Sequence, residues 1–158
     1  MNQFCAGSEA LGGGVTVDQF CFSVTARRLR LDNRLPVRCL ANAKLVVGVC
    51  LQAEAYLGGK FVLLSGFRSP EVNRAVGGKL NSYHLFGLAI DCRFDGVPFL
   101  EAARKLAQSR LSICEIEAKQ TALHIAYGEF RTLRLFRQFV ARGEVVPVDG
   151  FSADGVRS

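Results

Sequence analysis

The chain contains no tryptophan, and only two of its 158 residues are histidine. No apolar run approaches the roughly 20 residues that a membrane-spanning helix needs, so no membrane span is expected. Six cysteines stand at 5, 21, 39, 50, 92 and 114, with no Cys-x-x-Cys pair among them. That spacing argues against a cysteine-based zinc site or a thioredoxin-like motif. The N-terminus lacks a basic stretch followed by an apolar core, so no secretory signal is expected. An even cysteine count would permit bridges in an oxidising compartment. Without a signal, the expectation is synthesis in a reducing cytoplasm with free, mostly buried thiols. Internal repeats and low-complexity tracts are absent.

What is present fits an ordinary globular chain. Hydrophobic residues make up 49% and charged residues 22%, and the length suits one domain able to bury a core without disulfides. Residues 1–17, with Gly7, Gly12, Gly13 and Gly14, read as a flexible lead-in. Residues 18–148 read as the folded domain, and 149–158 as a flexible tail. The net charge of +6 favours anionic partners such as nucleic acid, membrane or a cell-wall polymer. Arginines gather at 27, 28, 30, 34 and 38, and again at 131, 134, 137 and 142. Neither group is interleaved with stacking aromatics in a nucleic-acid motif, so no specific nucleic-acid partner is expected. A monomer is expected.

Local patterns give the elements. Ser23-Val24-Thr25-Ala26 offers a helix start. Pro36 opens a long helix reaching about Tyr56, with Leu40, Ala43, Val47, Cys50, Leu51 and Ala55 at three-and-four spacing, and Gly58-Gly59 stops it. Phe61–Ser65 reads as a buried strand, and a short helix begins near Pro70. Residues 86–94 read as a strand and Pro98–Gln108 as a helix. Residues 111–117 and 121–128 read as two strands joined by a short turn, with a further hairpin around Gly143.

The two histidines stand in unusual surroundings. Alternation along a strand at 86–94 puts Gly87, Ala89, Asp91 and Arg93 on one face. In 121–128, Ala122, His124, Ala126 and Gly128 share a face. Candidate ligands are thus flanked by small residues, which leave room for an ion and a substrate. His84 and Asp91 on one helix would lie about 10 Å apart, too far to share a metal. With His84 at a loop end and Gly87 turning the backbone into a strand, the two can converge. Two imidazoles and a carboxylate form a donor set suited to zinc, with a fourth position left for water.

At these residues the chain resembles the zinc D-alanyl-D-alanine carboxypeptidase and endolysin family, whose fold is shared with Hedgehog signalling domains. The resemblance runs through Ser65-Gly66-Phe67-Arg68-Ser69-Pro70, Asn73, Gly77-Gly78, Ser82-x-His84-x-x-Gly87-x-Ala89-x-Asp91 and Leu123-His124-Ile125. It is closest to a small branch found in bacteriophages, which Ser23-Val24-Thr25-Ala26 and Asp32-Asn33 also fit, and it covers roughly residues 18–128. It implies an α+β fold of Hedgehog/DD-peptidase type, with a small antiparallel sheet packed against helices. It also implies Zn2+ held by His84, Asp91 and His124, and a peptidoglycan peptide as substrate. Such an ion acidifies water and polarises a carbonyl. Arg68 would anchor a substrate carboxylate or steady the oxyanion, or else form a structural ion pair. Ser82 would bind substrate or order its loop. Asn73 is expected to pin the loop backbone.

Many members of that family carry a carboxylate three residues before the last histidine, where this chain has Thr121. The nearest acids are Glu115 and Glu117 on the preceding strand, and Glu117 fits a general base better. Without a working base the metal site would survive without hydrolysis. The expectation is a zinc peptidase acting at the cell wall, within a host cell or from a virion. The alternatives are an inactive zinc-binding wall-recognition or virion module and, from charge alone, a nucleic-acid accessory protein.

Overall fold

The computed structural model describes residues 2–128, 134–139 and 144–146. The elements run β1 (Ala10–Gly12), β2 (Val15–Thr16), α1 (Val17–Phe20), α2 (Val24–Leu29), α3 (Leu40–Leu57), β3 (Phe61–Ser65), α4 (Pro70–Ala75), β4 (Ala89–Phe94), α5 (Phe99–Gln108), β5 (Ile113–Ala118), β6 (Leu123–Tyr127), β7 (Arg134–Phe139) and β8 (Glu144–Val146). The expected α+β class, an antiparallel sheet packed against helices, is the architecture observed. The chain forms two compact units, Met1–Gly48 with Ser65–Ile90 and Val49–Leu64 with Asp91–Ser158. The division falls within α3 and within β4, both of which are continuous elements. Among the described residues no helix is long and apolar enough to cross a membrane.

The first unit is built on capped short helices. Thr16 and Gln19 cap α1 reciprocally, side chain to backbone in both directions. Ser23 Oγ accepts from Ala26 N at 3.1 Å and starts α2 where the sequence places a helix start. Ser69 caps α4, with Pro70 in its first turn. The segment read as a flexible lead-in contains a hairpin, β1 paired with β2. Gly12, Gly13 and Gly14 all have positive φ there, and Leu11 and Val15 are buried beneath the turn. Consecutive glycines loosen a chain, but they also allow the tight reversal a hairpin requires. Asn33 is buried and ties three segments together. Its Nδ2 donates to Cys21 O at 2.7 Å and Phe67 O at 3.1 Å, and its Oδ1 accepts from Ser69 N at 2.7 Å.

The second unit holds the six-stranded sheet, in the order β3-β4-β6-β5-β7-β8. β5 and β6 are antiparallel, with Ile116 opposite Ile125 and Glu117 opposite His124. β7 joins β5 in parallel, and β8 is antiparallel to β7. Ile113, Ile116, Leu123 and Ile125 are at most 1% exposed. Helix α5 packs on β5 and β6 through Ala102, Ala103, Leu106 and Ala107, a stripe at helical spacing. The expected hairpin around Gly143 corresponds to β7 and β8, while residues 140–143 and the proposed tail 149–158 lie outside the described residues.

Three expectations need correction. The strand read at 86–94 begins only at Ala89, because Tyr83–Phe86 forms a 3-10 turn closed by Gly87 in the left-handed region at φ 69°. Phe86 is accordingly exposed. β3 is half-buried, with Leu64 exposed, because it stands at the edge of the sheet. In α3 the buried stripe is Ala43, Val46, Val47, Val49, Cys50 and Ala53, whereas Ala55 is exposed. All six cysteines are free thiols, four of them buried. Burial pushes the half-exposed Cys21 thiol up to about 12.

Candidate metal centre

His84 lies in the 3-10 turn, and both ends of that turn fix it. Ser82 Oγ accepts from His84 N at 3.3 Å. His84 O accepts from Gly87 N at 3.3 Å and from Arg68 N at 3.1 Å. The ring is 2% exposed, and its Nδ1 lies 2.6 Å from Gly66 O. A carbonyl can only accept, so Nδ1 carries the hydrogen and the neutral ring keeps its lone pair on Nε2. A backbone carbonyl that sets the tautomer in this way is the usual outer partner of a metal-bound imidazole.

Asp91 and His124 come from β4 and β6, which are neighbours in the sheet. Asp91 Oδ1 lies 3.1 Å from His124 Nδ1 and accepts from Lys119 Nζ at 3.1 Å. The other nitrogen of His124, Nε2, lies 3.1 Å from Glu115 Oε1. The imidazole is therefore held between two carboxylates. Burial pulls its pKa down, but the contacts with Asp91 and Glu115 outweigh burial and raise it above the ordinary 6.5.

This shift has a measurable consequence in the metal-free protein. The folded chain holds the His124 proton more tightly than the unfolded chain does. The resulting stability is complete below the ordinary pKa of 6.5 and is lost as pH rises through the higher folded value. Zinc competes with the same proton, so its affinity should rise over that window. Unfolding midpoints of chelator-treated protein should fall as pH rises above 6.5. His124→Gln should flatten that slope, and an unchanged slope would contradict the assignment.

His84, Asp91 and His124 are all buried, and their ligand atoms lie within 4.8 Å of one another. They are the three residues that the motif spacing selects. On a tetrahedral ion, ligands at about 2.1 Å stand about 3.4 Å apart. Two nitrogens and one oxygen suit zinc. Ala89, Ala122 and Ala126, which the strand alternation places beside the ligands, are buried and small.

The remaining candidates are placed as follows. Arg68 is half-buried in the loop after β3, its backbone joined to His84. Ser82 orders the loop by capping the turn. Glu117 is half-buried and directly opposite His124 across the β5–β6 pair. Thr121 is exposed. Asn73 is buried, and its Nδ2 donates to Lys79 O at 2.9 Å, as expected for a residue pinning this loop. Three contributions were not foreseen: the contact of Glu115 with His124, the ion pair of Lys119 with Asp91, and the bracing of Phe67–Ser69 by Asn33. Only Asn33 left a trace in the sequence, through its Asp-Asn segment.

No curated protein matches the chain. A family model described as Peptidase M15 matches residues 15–126. The matched span holds the hairpin end, the braced Arg68 loop, both histidines and Asp91, and the α+β architecture agrees with the Hedgehog/DD-peptidase fold. With most of its length accounted for in this way, the chain belongs to the Peptidase M15 family.

Proposed function

We propose that the chain is a zinc-dependent peptidase that hydrolyses peptidoglycan stem or cross-link peptides, acting as a D-Ala-type carboxypeptidase or endopeptidase of the phage endolysin kind. The observation that carries this reading is the buried group of His84, Asp91 and His124 within a Peptidase M15 match. When bound, a zinc ion supplies Lewis acidity, acidifying water and polarising a carbonyl. His84 and His124 would hold it through imidazole nitrogens and Asp91 through its carboxylate.

The chain's own residues account for the rest of the chemistry. Glu117 shares a strand face with His124 and would take the proton from the attacking water, then return it to the leaving amine. Arg68 would anchor a substrate carboxylate with its planar guanidinium. Ser82 keeps the His84 turn in place. The net charge of +6 suits an anionic wall.

Purified peptidoglycan incubated with the zinc-loaded protein should release stem peptides, and a chelator should stop the release. Glu117→Gln should slow it by about 10²–10⁴-fold with zinc still bound, the range typical for loss of a general base. One observation favours a second reading, a zinc-binding wall-recognition or virion module without hydrolysis: Thr121 stands where many relatives carry a carboxylate. Zinc binding without turnover on any stem peptide would select that reading.

A further inference from the structure

We propose that Glu115 is a positioning residue for the metal centre, holding the outer nitrogen of His124 so that the inner nitrogen is presented to the ion. The proposal rests on the metal-site reading above and assigns this residue a role other than general base. An imidazole offers two nitrogens, and a ligand histidine must keep the correct one deprotonated. In His124, Nδ1 lies 3.1 Å from Oδ1 of Asp91, itself a member of the ligand group. Nε2 faces Glu115 Oε1 at 3.1 Å. A proton on Nε2 would meet that carboxylate as an ion-pair contact, leaving the ring's lone pair on Nδ1.

The sheet explains how Glu115 gets there. Its strand partner is Ala126, two residues beyond His124 on the same face. A methyl group at 126 leaves the space through which the longer carboxylate reaches back to the ring. A register shift between Ile113 and Glu115 helps to aim the side chain, a common use of strand irregularities near functional sites. The Glu115 side chain is only 16% exposed, so water competes weakly for the contact. Glu117, opposite His124 in register, is left for another task. His84 receives the equivalent support from Gly66 O. Both imidazoles thus have their outer nitrogen fixed, one by a carbonyl and one by a carboxylate, which also makes His124 the more basic ligand.

The test combines zinc competition titrations against a chromophoric chelator with nitrogen-15 spectra of the zinc-loaded protein. The wild-type spectrum should show His124 protonated at Nε2 and metal-bound at Nδ1. Glu115→Ala should weaken zinc binding by about 10–100-fold, the usual cost of losing such an outer partner. Glu115→Gln, which keeps an acceptor oxygen, should recover part of that loss and retain the tautomer. Glu101→Gln, on exposed α5 surface, should leave affinity unchanged. Should Glu115→Ala fail to fold, the Gln variant and the wild-type tautomer still decide the matter. Coordination through Nε2, or unaltered affinity in both Glu115 variants, would overturn the role of Glu115 while leaving the metal site intact. A wild-type protein that takes up no zinc would overturn both.

Discussion

Replacing His84 by alanine is expected to weaken zinc binding by more than about 100-fold, beyond the roughly 10–100-fold cost of losing an outer partner. The reason is geometric. Among the described residues, His84, Asp91 and His124 are three buried groups whose ligand atoms lie within 4.8 Å of one another. Removing one leaves two, too few for the three-ligand site that a catalytic zinc normally occupies. Asp91→Ala should be at least as damaging to binding, because it removes the anionic ligand. It also leaves Lys119 and His124 without the carboxylate oxygen they share at 3.1 Å. The metal-free Asp91→Ala protein should therefore lose stability as well, and so should metal-free His84→Ala, which loses a buried ring and its bond to Gly66. Chelator competition measures the first effect and urea unfolding of the metal-free proteins the second. Zinc affinity within threefold of wild type in either variant would contradict the site.

Gly66→Ala should impair both folding and metal binding although residue 66 offers no ligand. A Cβ at Gly66 would lie 2.4 Å from Phe20 Cδ2 and 2.5 Å from Phe20 O. Neither atom can yield easily. Phe20 is fully buried, and its carbonyl accepts from Phe67 N at 3.0 Å. Overpacking of this kind typically costs about 1–3 kcal/mol. The strand end must shift, and with it the Gly66 carbonyl that holds His84 Nδ1 at 2.6 Å. Zinc affinity should then drop by about 10–100-fold, as for loss of any outer partner. Gly48→Ala makes the matching control, since a Cβ there meets nothing within 4 Å inside helix α3. It should raise stability by up to about 1 kcal/mol through helix propensity and leave zinc binding alone. Equal behaviour of the two variants in unfolding and chelator titrations would refute the argument.

The candidate ligand group was legible because its surroundings depend on short-range rules. Ser82 and Gly87 bracket His84 with capping and left-handed chemistry that sequence displays directly. Alternation along β6 sets His124 among alanines, which the structure shows buried. Helices α2, α4 and α5 began where their serine or proline signals stood. What sequence could not show depends on register and reach. The tie between Glu115 and His124 requires knowing that Ala126 lies opposite Glu115 and that β5 changes register beside it. Lys119 reaches Asp91 from 28 residues away. The start of β4 was misplaced by three residues because Phe86 and Leu88 fit strand alternation as well as they fit a turn. The β1–β2 hairpin was hidden because its glycines also fit a loose leader.

The central claim is that His84, Asp91 and His124 close around a single ion. A crystal structure of the zinc-loaded protein, with the ion located by anomalous scattering at the zinc edge, tests it most directly. The account predicts one ion at about 2.0–2.2 Å from an imidazole nitrogen of each histidine and an oxygen of Asp91. An ion held elsewhere, or one that leaves any of these three side chains outside its coordination sphere, would contradict it.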